Sequence, residues 1–201
     1  YQGTYGKELI SDVIGINPED TQIVEYDGDV NFMKGAIECA NKVTTVSPSY
    51  ANEILDPWYS HGLDTILKQR QWKLQGILNG IDVDNYNPET DACIEKNFTV
   101  KDVKKGKAAN KKALQETMGL PQREDVPVIG LVTRLVSHKG LDLIKGILDE
   151  LLYTTDVQFV VLGSGEWQYE SFFKEMADNY PDKFGVRIGF VPSLSRKIYA
   201  G

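Results

Sequence analysis

One stretch governs what this chain can fold into: residues 128–139, VIGLVTRLVSHK, which run on into Gly140, Leu141 and Asp142. Its first half is a continuous apolar, β-branched run, the pattern of a strand buried on both faces. The character changes at Arg134. Beyond Gly140 apolar residues recur at Ile144, Ile147, Leu148, Leu151 and Leu152, one face of an amphipathic helix. Two cations, Arg134 and Lys139, therefore occupy a strand-to-helix turn. In an open parallel sheet such a turn lies at the carboxyl edge of the strands, where ligands bind. A helix N-terminus there adds backbone N–H groups and the positive end of a dipole. A guanidinium binds two oxygens at once and an ammonium acts as a point charge, so the pair suits a phosphate or, better, a diphosphate. The alternative is two surface residues in minor salt bridges, and spacing alone leaves both open.

The same alternation continues downstream. Residues 157–162 (VQFVVL) form a second apolar run that meets Gly163-Ser164-Gly165. A helical face follows, carrying Tyr169, Phe172, Phe173, Met176, Ala177 and Tyr180, then a third strand over residues 185–190 and Val191-Pro192. Strand–helix alternation of this kind predicts a parallel α/β sheet with right-handed crossovers, a Rossmann-like domain whose beginning is at residue 126. Upstream, residues 29–40 show Met33, Ala36, Ile37 and Ala40 on one helical face, with Asp29 or Asn31 as N-cap. Residues 42–46 read as a short strand ending at Ser47-Pro48, a capping serine followed by a proline in the first helical turn. The helix that it opens spans residues 49–55, and residues 74–78 read as another small strand.

Residues 79–91, NGIDVDNYNPETD, are rich in Asn, Asp, Gly and Pro and mark the boundary between two domains. The organisation expected is 1–79 as the later part of one domain, 80–125 as linker and lead-in helix, and 126–201 as the first half of another. Six lysines at 101, 104, 105, 107, 111 and 112 are best explained as the solvated face of a helix over 108–118 that ends at Gly119 and Pro121. The chain begins without Met and stops where a helix starts, so it reads as an excerpt of something longer.

Composition excludes several functions. A net charge of −7 argues against a broad nucleic-acid-binding face. No apolar run approaches the length of a membrane span, so no membrane partner is expected. Cys39 and Cys93 give neither metal spacing nor a disulfide framework, which suits a reducing cytoplasm. Gly163-x-Gly165 is half of a dinucleotide fingerprint. Gln168 stands where the third glycine belongs and Phe190 where the acid closing the next strand belongs, which counts against NAD. The glycines fit instead a loop that lets a ligand approach backbone. Phe190, after Gly189, stands at a strand end on the same sheet edge as Arg134, placed either to stack on a base or to fill a core. Neither His61 nor His138 stands at a spacing from serine, cysteine or acid that suggests a triad, neither falls in a metal motif, and both read as structural or solvent-facing. Trp58, Tyr59 and Trp72 lie in polar surroundings, where partial burial explains them better than a sugar-stacking surface.

The motifs together resemble a family. YQG at 1–3, NFMKGAIECANKVTTVSPSYANEI at 31–54, GILNGID at 76–82 and YNPETD at 86–91 are followed by KAANKKALQETMGL at 107–120. Then come GLVTRLVSHKGLDL at 130–143, LGSGE at 162–166 and VRIGF at 186–190. In this order and spacing they are similar to the bacterial and plant glycogen/starch synthases. These are retaining glucosyltransferases of GT-B type, with two Rossmann-like domains facing a cleft. The resemblance implies that Arg134 and Lys139 contact the diphosphate of a nucleotide-glucose donor and carry the catalytic countercharge. It implies that Asn79 lies near the sugar and that Gly189 and Phe190 border the base. Phenylalanine here keeps the stacking face of the tyrosine frequent in the family. It further implies ADP-glucose as donor, the non-reducing end of an α-1,4-glucan such as glycogen as acceptor, no metal or other cofactor, and a cytoplasmic location. The family's lysine-glycine-glycine loop and a family histidine would precede residue 1, and its catalytic-site glutamate would follow residue 201. The stretch alone is therefore expected to be inactive. The rivals are a related transferase with a UDP- or GDP-sugar donor and a non-catalytic nucleotide- or glucan-binding protein on the same scaffold.

Overall fold

The computed structural model describes residues 2–201, apart from the side chains of residues 11 and 12. The first residue of the YQG motif lies outside the described residues. The chain divides into two compact units, the first ending at Gly80 and the second running from Ile81 to Gly201.

In the first unit, strand β1 (Thr4–Tyr5) is followed by the short helix α1 (Thr21–Val24), then by β2 (Glu25–Tyr26) and β3 (Asp29–Asn31). These strands make a small antiparallel sheet in the order β1-β3-β2. Helix α2 (Phe32–Cys39) begins where β3 ends because Asn31, itself buried, accepts a hydrogen bond from the Lys34 backbone N–H at 2.9 Å. Between the two expected caps, Asn31 is the one used. At the other end of α2 the buried Lys73 ammonium donates to the carbonyls of Glu38 and Ala40 at 2.9 and 2.7 Å, a cation placed on the negative end of the helix dipole.

Strand β4 (Val43–Thr45) pairs in parallel with the later β5 (Leu74–Gly76), Val43 opposite Leu74. Between them lie α3 (Pro48–Glu53) and α4 (Asp64–Gln69). The Ser47 hydroxyl accepts from the Tyr50 N–H at 3.2 Å and Pro48 occupies the first turn, the start signal read from the sequence. Helix α4 carries Ile66 and Leu67 into a core with Ile37 and Leu63.

The second unit opens with loops and helix α5 (Val103–Thr117), five residues longer at its start than the lysine pattern indicated. Gly106 hides that first turn in the sequence. Here it is required, because a Cβ at this position would lie 2.2 Å from the Cβ of Phe98. Asn110, buried in α5, holds the preceding loop by accepting from Glu95 N–H at 2.8 Å and donating to the Lys96 carbonyl at 2.7 Å. Two of the six lysines depart from the solvated-face account. Lys107 donates to the carbonyls of Tyr199 and Ala200, and Lys111 to those of Glu124 and Val126.

The core of the unit is a three-stranded parallel sheet in the order β6 (Val128–Val132), β7 (Gln158–Gly163), β8 (Phe184–Ile188). Helix α6 (Leu141–Thr154) connects β6 to β7, α7 (Trp167–Asn179) connects β7 to β8, and α8 (Pro192–Ala200) follows β8. Alternation along β7 sets the layers. Phe159 and Val161 pack with α6 and α7 through Leu141, Leu148, Leu152, Tyr169, Phe173 and Met176. Val160 and Leu162 face the opposite way, onto Leu114 of α5 and Leu194 and Ile198 of α8.

Two expectations need correction. The strand buried on both faces is β7, all six residues of which are buried, and not β6. Among the described residues β6 pairs only with β7, sits at the edge of the three-stranded sheet and leaves Ile129 39% exposed. An apolar run does not by itself distinguish a central strand from its neighbour. On α6 the buried stripe runs through Leu141, Leu148 and Leu152, whereas Ile147 points outward. At the amino end of β7, Gln158 is buried and donates to the carbonyls of Pro121 at 2.8 Å and Asp182 at 3.3 Å. It also accepts from Gln115 Nε2 at 2.7 Å, while Gln115 donates to the Arg123 carbonyl at 3.0 Å. One pair of amides thus joins two loops, the one before β6 and the one before β8.

Candidate functional site

At the carboxyl edge of β6, β7 and β8 lies an open cavity of about 280 Å³. Its floor is the three strand ends: Thr133 and Arg134 after β6, Gly163 ending β7 with Ser164 after it, and Gly189 and Phe190 after β8. The first turn of α8 and Tyr199 close one side, and Tyr86 from the loop before α5 closes another. Apolar and hydroxyl-bearing walls with one guanidinium fit a ligand that is part flat and apolar, part anionic.

Arg134, Gly189 and Phe190, read from the sequence as sharing one sheet edge, all line this cavity. Arg134 is exposed, and its Nη2 lies 3.5 Å from His138 Nε2, so the cation is not tied up by a carboxylate among its described contacts. Gly189 takes φ of 135°, and Phe190 is 91% exposed, which excludes the core alternative for this aromatic. Lys139 ends a single 3₁₀ turn, Ser137–Lys139, and is exposed without lining the cavity. Asn79 belongs to the first unit, on an exposed segment after β5.

In the turn between β6 and α6 several backbone donors are already engaged. Lys139 N–H and Gly140 N–H are bonded to the carbonyls of Val136 and Ser137, both at 3.0 Å. The Ser137 N–H donates to Glu166 Oε1 at 3.1 Å. Hydrogen bonds from Gln168 and from this N–H hold the Glu166 carboxyl below its usual range against the opposing effect of burial, with His138 adding a favourable charge. The helix whose first turn borders the cavity is α8, through Val191, Pro192 and Ser195, rather than α6.

The glycine pair has a cause of its own. The segment after β6 continues alongside the segment after β7: Thr133 N–H donates to Leu162 O at 3.2 Å, Leu135 N–H to Ser164 O at 2.9 Å and Glu166 N–H to Leu135 O at 2.7 Å. A Cβ on Gly163 would lie 2.0 Å from Thr133 O, and one on Gly165 2.2 Å from Leu135 O. The glycines admit neighbouring backbone, a demand the sequence reading did not foresee, and Gly163 also lines the cavity. They fix the spacing between Arg134 and Ser164.

Sequence reasoning missed Tyr86 and Tyr199. Tyr86 was hidden in a segment read as linker, where an aromatic among Asn, Asp and Pro was the available signal. Among the described residues no group of three or more His, Cys, Asp or Glu side chains could hold a metal ion, and no helix is long and apolar enough to cross a membrane.

The α/β fold is of the GT-B glycosyltransferase type, with a phosphate-suited cation and an exposed aromatic on one edge of a parallel sheet. Comparison with known proteins carries this further. Residues 1–69 match the starch synthase catalytic domain. All of the chain aligns with the glycogen synthases of Desulforamulus reducens, at 48% identity, and Exiguobacterium sibiricum, at 46%, covering 42% of each. The structure also matches the catalytic domain of starch synthase IV from Arabidopsis thaliana bound to ADP and acarbose. The TM-score is 0.86 at 36% identity, over 100% of this chain and 42% of that one. The chain is a homologue of these glycogen and starch synthases over its whole length, and it spans about two-fifths of theirs.

Proposed function

We propose that the protein is a glycogen/starch synthase, transferring glucose from ADP-glucose to the non-reducing end of an α-1,4-glucan with retention of configuration. The observation that carries this reading is the meeting of Arg134, Gly189 and Phe190 in one cavity at the carboxyl edge of the sheet. The ADP held by the Arabidopsis relative supports an adenine nucleotide as the donor's leaving group, and the acarbose held there supports a glucan as acceptor. In this reading Phe190 borders the base, Arg134 and Lys139 face the diphosphate, and Asn79 lies near the sugar.

The chemistry follows from charge. As the bond between glucose and phosphate breaks, negative charge grows on the departing diphosphate. Cations already in place stabilise that charge without reorganising at the moment of reaction. A guanidinium suits this better than an ammonium because it can hold two oxygens in one geometry. Transfer needs no metal in this account, since side chains supply the countercharge. A cytoplasmic setting agrees with two free cysteines, Cys39 and Cys93. The stretch alone, at two-fifths of its relatives' length, is proposed to be inactive.

The test is glucosyl transfer to glycogen by the full-length protein, with ADP-glucose and UDP-glucose compared as donors and no metal added. Transfer mainly from ADP-glucose is expected. Efficient transfer from UDP-glucose overturns the donor assignment, and nucleotide binding without transfer from either overturns the enzymatic one.

A further inference from the structure

We propose that Arg196 is a positioning residue for the nucleotide cavity: it fastens the loop around residues 85–91 to α8 and thereby holds Tyr86 in place as a wall. The inference rests on the nucleotide-sugar reading above. Arg196 does not line the cavity at the strand ends. Its Nη1 donates to Asp91 Oδ1 at 3.1 Å, its Nη2 donates to Asn85 Oδ1, and its guanidinium carbon lies 5.1 Å from the centroid of the Tyr86 ring. All three interactions reach one loop, far upstream in sequence, from a single side chain on the helix that borders the cavity.

The pair at the centre of this arrangement is largely withdrawn from water: the Arg196 side chain is 16% exposed and that of Asp91 6%. Exposed ion pairs contribute little, whereas a buried one imposes geometry, because either partner alone would be left as an uncompensated charge. Asp91 is fixed further by the Cys93 N–H at 2.8 Å. Burial works against its ionisation, yet the hydrogen bonds from Cys93 and Arg196 and the guanidinium charge outweigh it and hold the carboxyl below its ordinary value. The loop is also closed on itself, Asn97 Nδ2 donating to the carbonyls of Asp91 at 2.9 Å and Pro88 at 3.1 Å.

Tyr86 is where the clamp meets the site. It lines the strand-edge cavity and also a smaller one of about 180 Å³ whose lining includes Asp91 and Arg196. Tyr86, together with Tyr199, thus stands between a space open to ligand and a space bounded by the ion pair. It is 52% exposed, too much for packing alone to fix it. A cation set against its ring supplies attraction on that side. An aromatic wall already ordered before binding costs a flat nucleoside less ordering entropy than a mobile one. The class of ligand group served is therefore the base or ribose of the nucleotide, not the glucan.

Calorimetric titration of the full-length protein with ADP tests this, using wild type, Arg196→Lys, Arg196→Ala, Tyr86→Ala and the double variant Tyr86→Ala/Arg196→Ala. Arg196→Ala and Tyr86→Ala are each expected to weaken ADP about tenfold, the size of one lost aromatic contact. The double variant is expected to be no weaker than Tyr86→Ala, since Arg196 acts through Tyr86. Wild-type affinity in folded Arg196→Ala, or a loss in the double variant equal to the product of the two single losses, overturns the proposal. Should Arg196→Ala fail to fold, Arg196→Lys carries the test. It keeps the charge opposite Asp91 but cannot also reach Asn85, and undiminished ADP affinity in it refutes the clamp. If wild type itself binds no ADP, the nucleotide reading falls instead. The clamp is then judged by amide exchange at residues 85–91, where faster exchange in Arg196→Lys supports it and unchanged exchange refutes it.

Discussion

Replacing Gly163 by alanine adds one methyl group at the most crowded point of the site. The new Cβ would lie 2.0 Å from Thr133 O and 3.2 Å from Leu135 Cγ. Because the nearest atom is a backbone carbonyl, no rotamer change relieves the contact. Bringing it even to 3.0 Å moves the segment after β6 away from β7 by about 1 Å, which disturbs the Thr133 N–H bond to Leu162 O. Overpacking of this kind costs about 1–3 kcal/mol, and in a chain of this size each kcal/mol lowers Tm by roughly 2–4 °C. The displacement also separates Arg134 from Ser164, which stand on two sides of the cavity floor. A loss of about tenfold in ADP affinity is therefore expected, a shift of ~1.4 kcal/mol. Ser164→Ala, an exposed neighbour without this clash, serves as the control for chemistry without displacement. Thermal denaturation and calorimetric titration read the two effects. Gly163→Ala with wild-type Tm and unchanged ADP affinity refutes the reasoning.

Arg134→Ala and Lys139→Ala, assayed in the full-length protein, are each expected to raise the transfer barrier by about 3–4 kcal/mol, by analogy with loss of one oxyanion donor. Near-normal kcat in both would remove them from the mechanism. Chelation with EDTA is expected to leave transfer unchanged, and activity lost to EDTA and restored by magnesium contradicts the assignment of the countercharge to side chains. The Asp91 carboxyl, held below its ordinary value in the folded state, stabilises the fold above the usual carboxylate pKa. That contribution is lost as pH falls through the lowered folded value. Melting curves of Asp91→Asn against wild type should therefore converge on acidification below about pH 4. Curves that stay parallel from pH 7 to pH 3 count against the ion pair.

Sequence showed those features that are written locally. Periodicity found α2, α7 and the three strands of the second unit, and capping chemistry placed Ser47 at a helix start and narrowed the cap of α2 to Asp29 or Asn31. Arg134 and Phe190 were legible because a strand end followed by a helix has one accessible edge. What escaped depends on contacts distant along the chain. Nothing near Gly106 announces that Phe98 will lie against it, so a real helical turn read as a break. Nothing in the run of lysines separates Lys107 and Lys111, which bind carbonyls, from Lys104 and Lys105, which face water. The edge position of β6 follows from pairing order, which hydrophobicity does not encode. Arg196 and Asp91 stand far apart in sequence, and their meeting needs the fold.

The two ends of the parallel sheet are held by different means. At the amino end, the amides of Gln115 and Gln158 join the loops through side chains. At the carboxyl end, Gly163 and Gly165 let backbone meet backbone. A substitution among the amides removes one bond at a time, so its damage is graded and a different polar side chain can restore part of it. A substitution at the glycines adds volume where none exists, and no second change of side chain gives it back. The ligand edge of this sheet is consequently the less forgiving end for sequence drift, and the far end is where engineering has room to work.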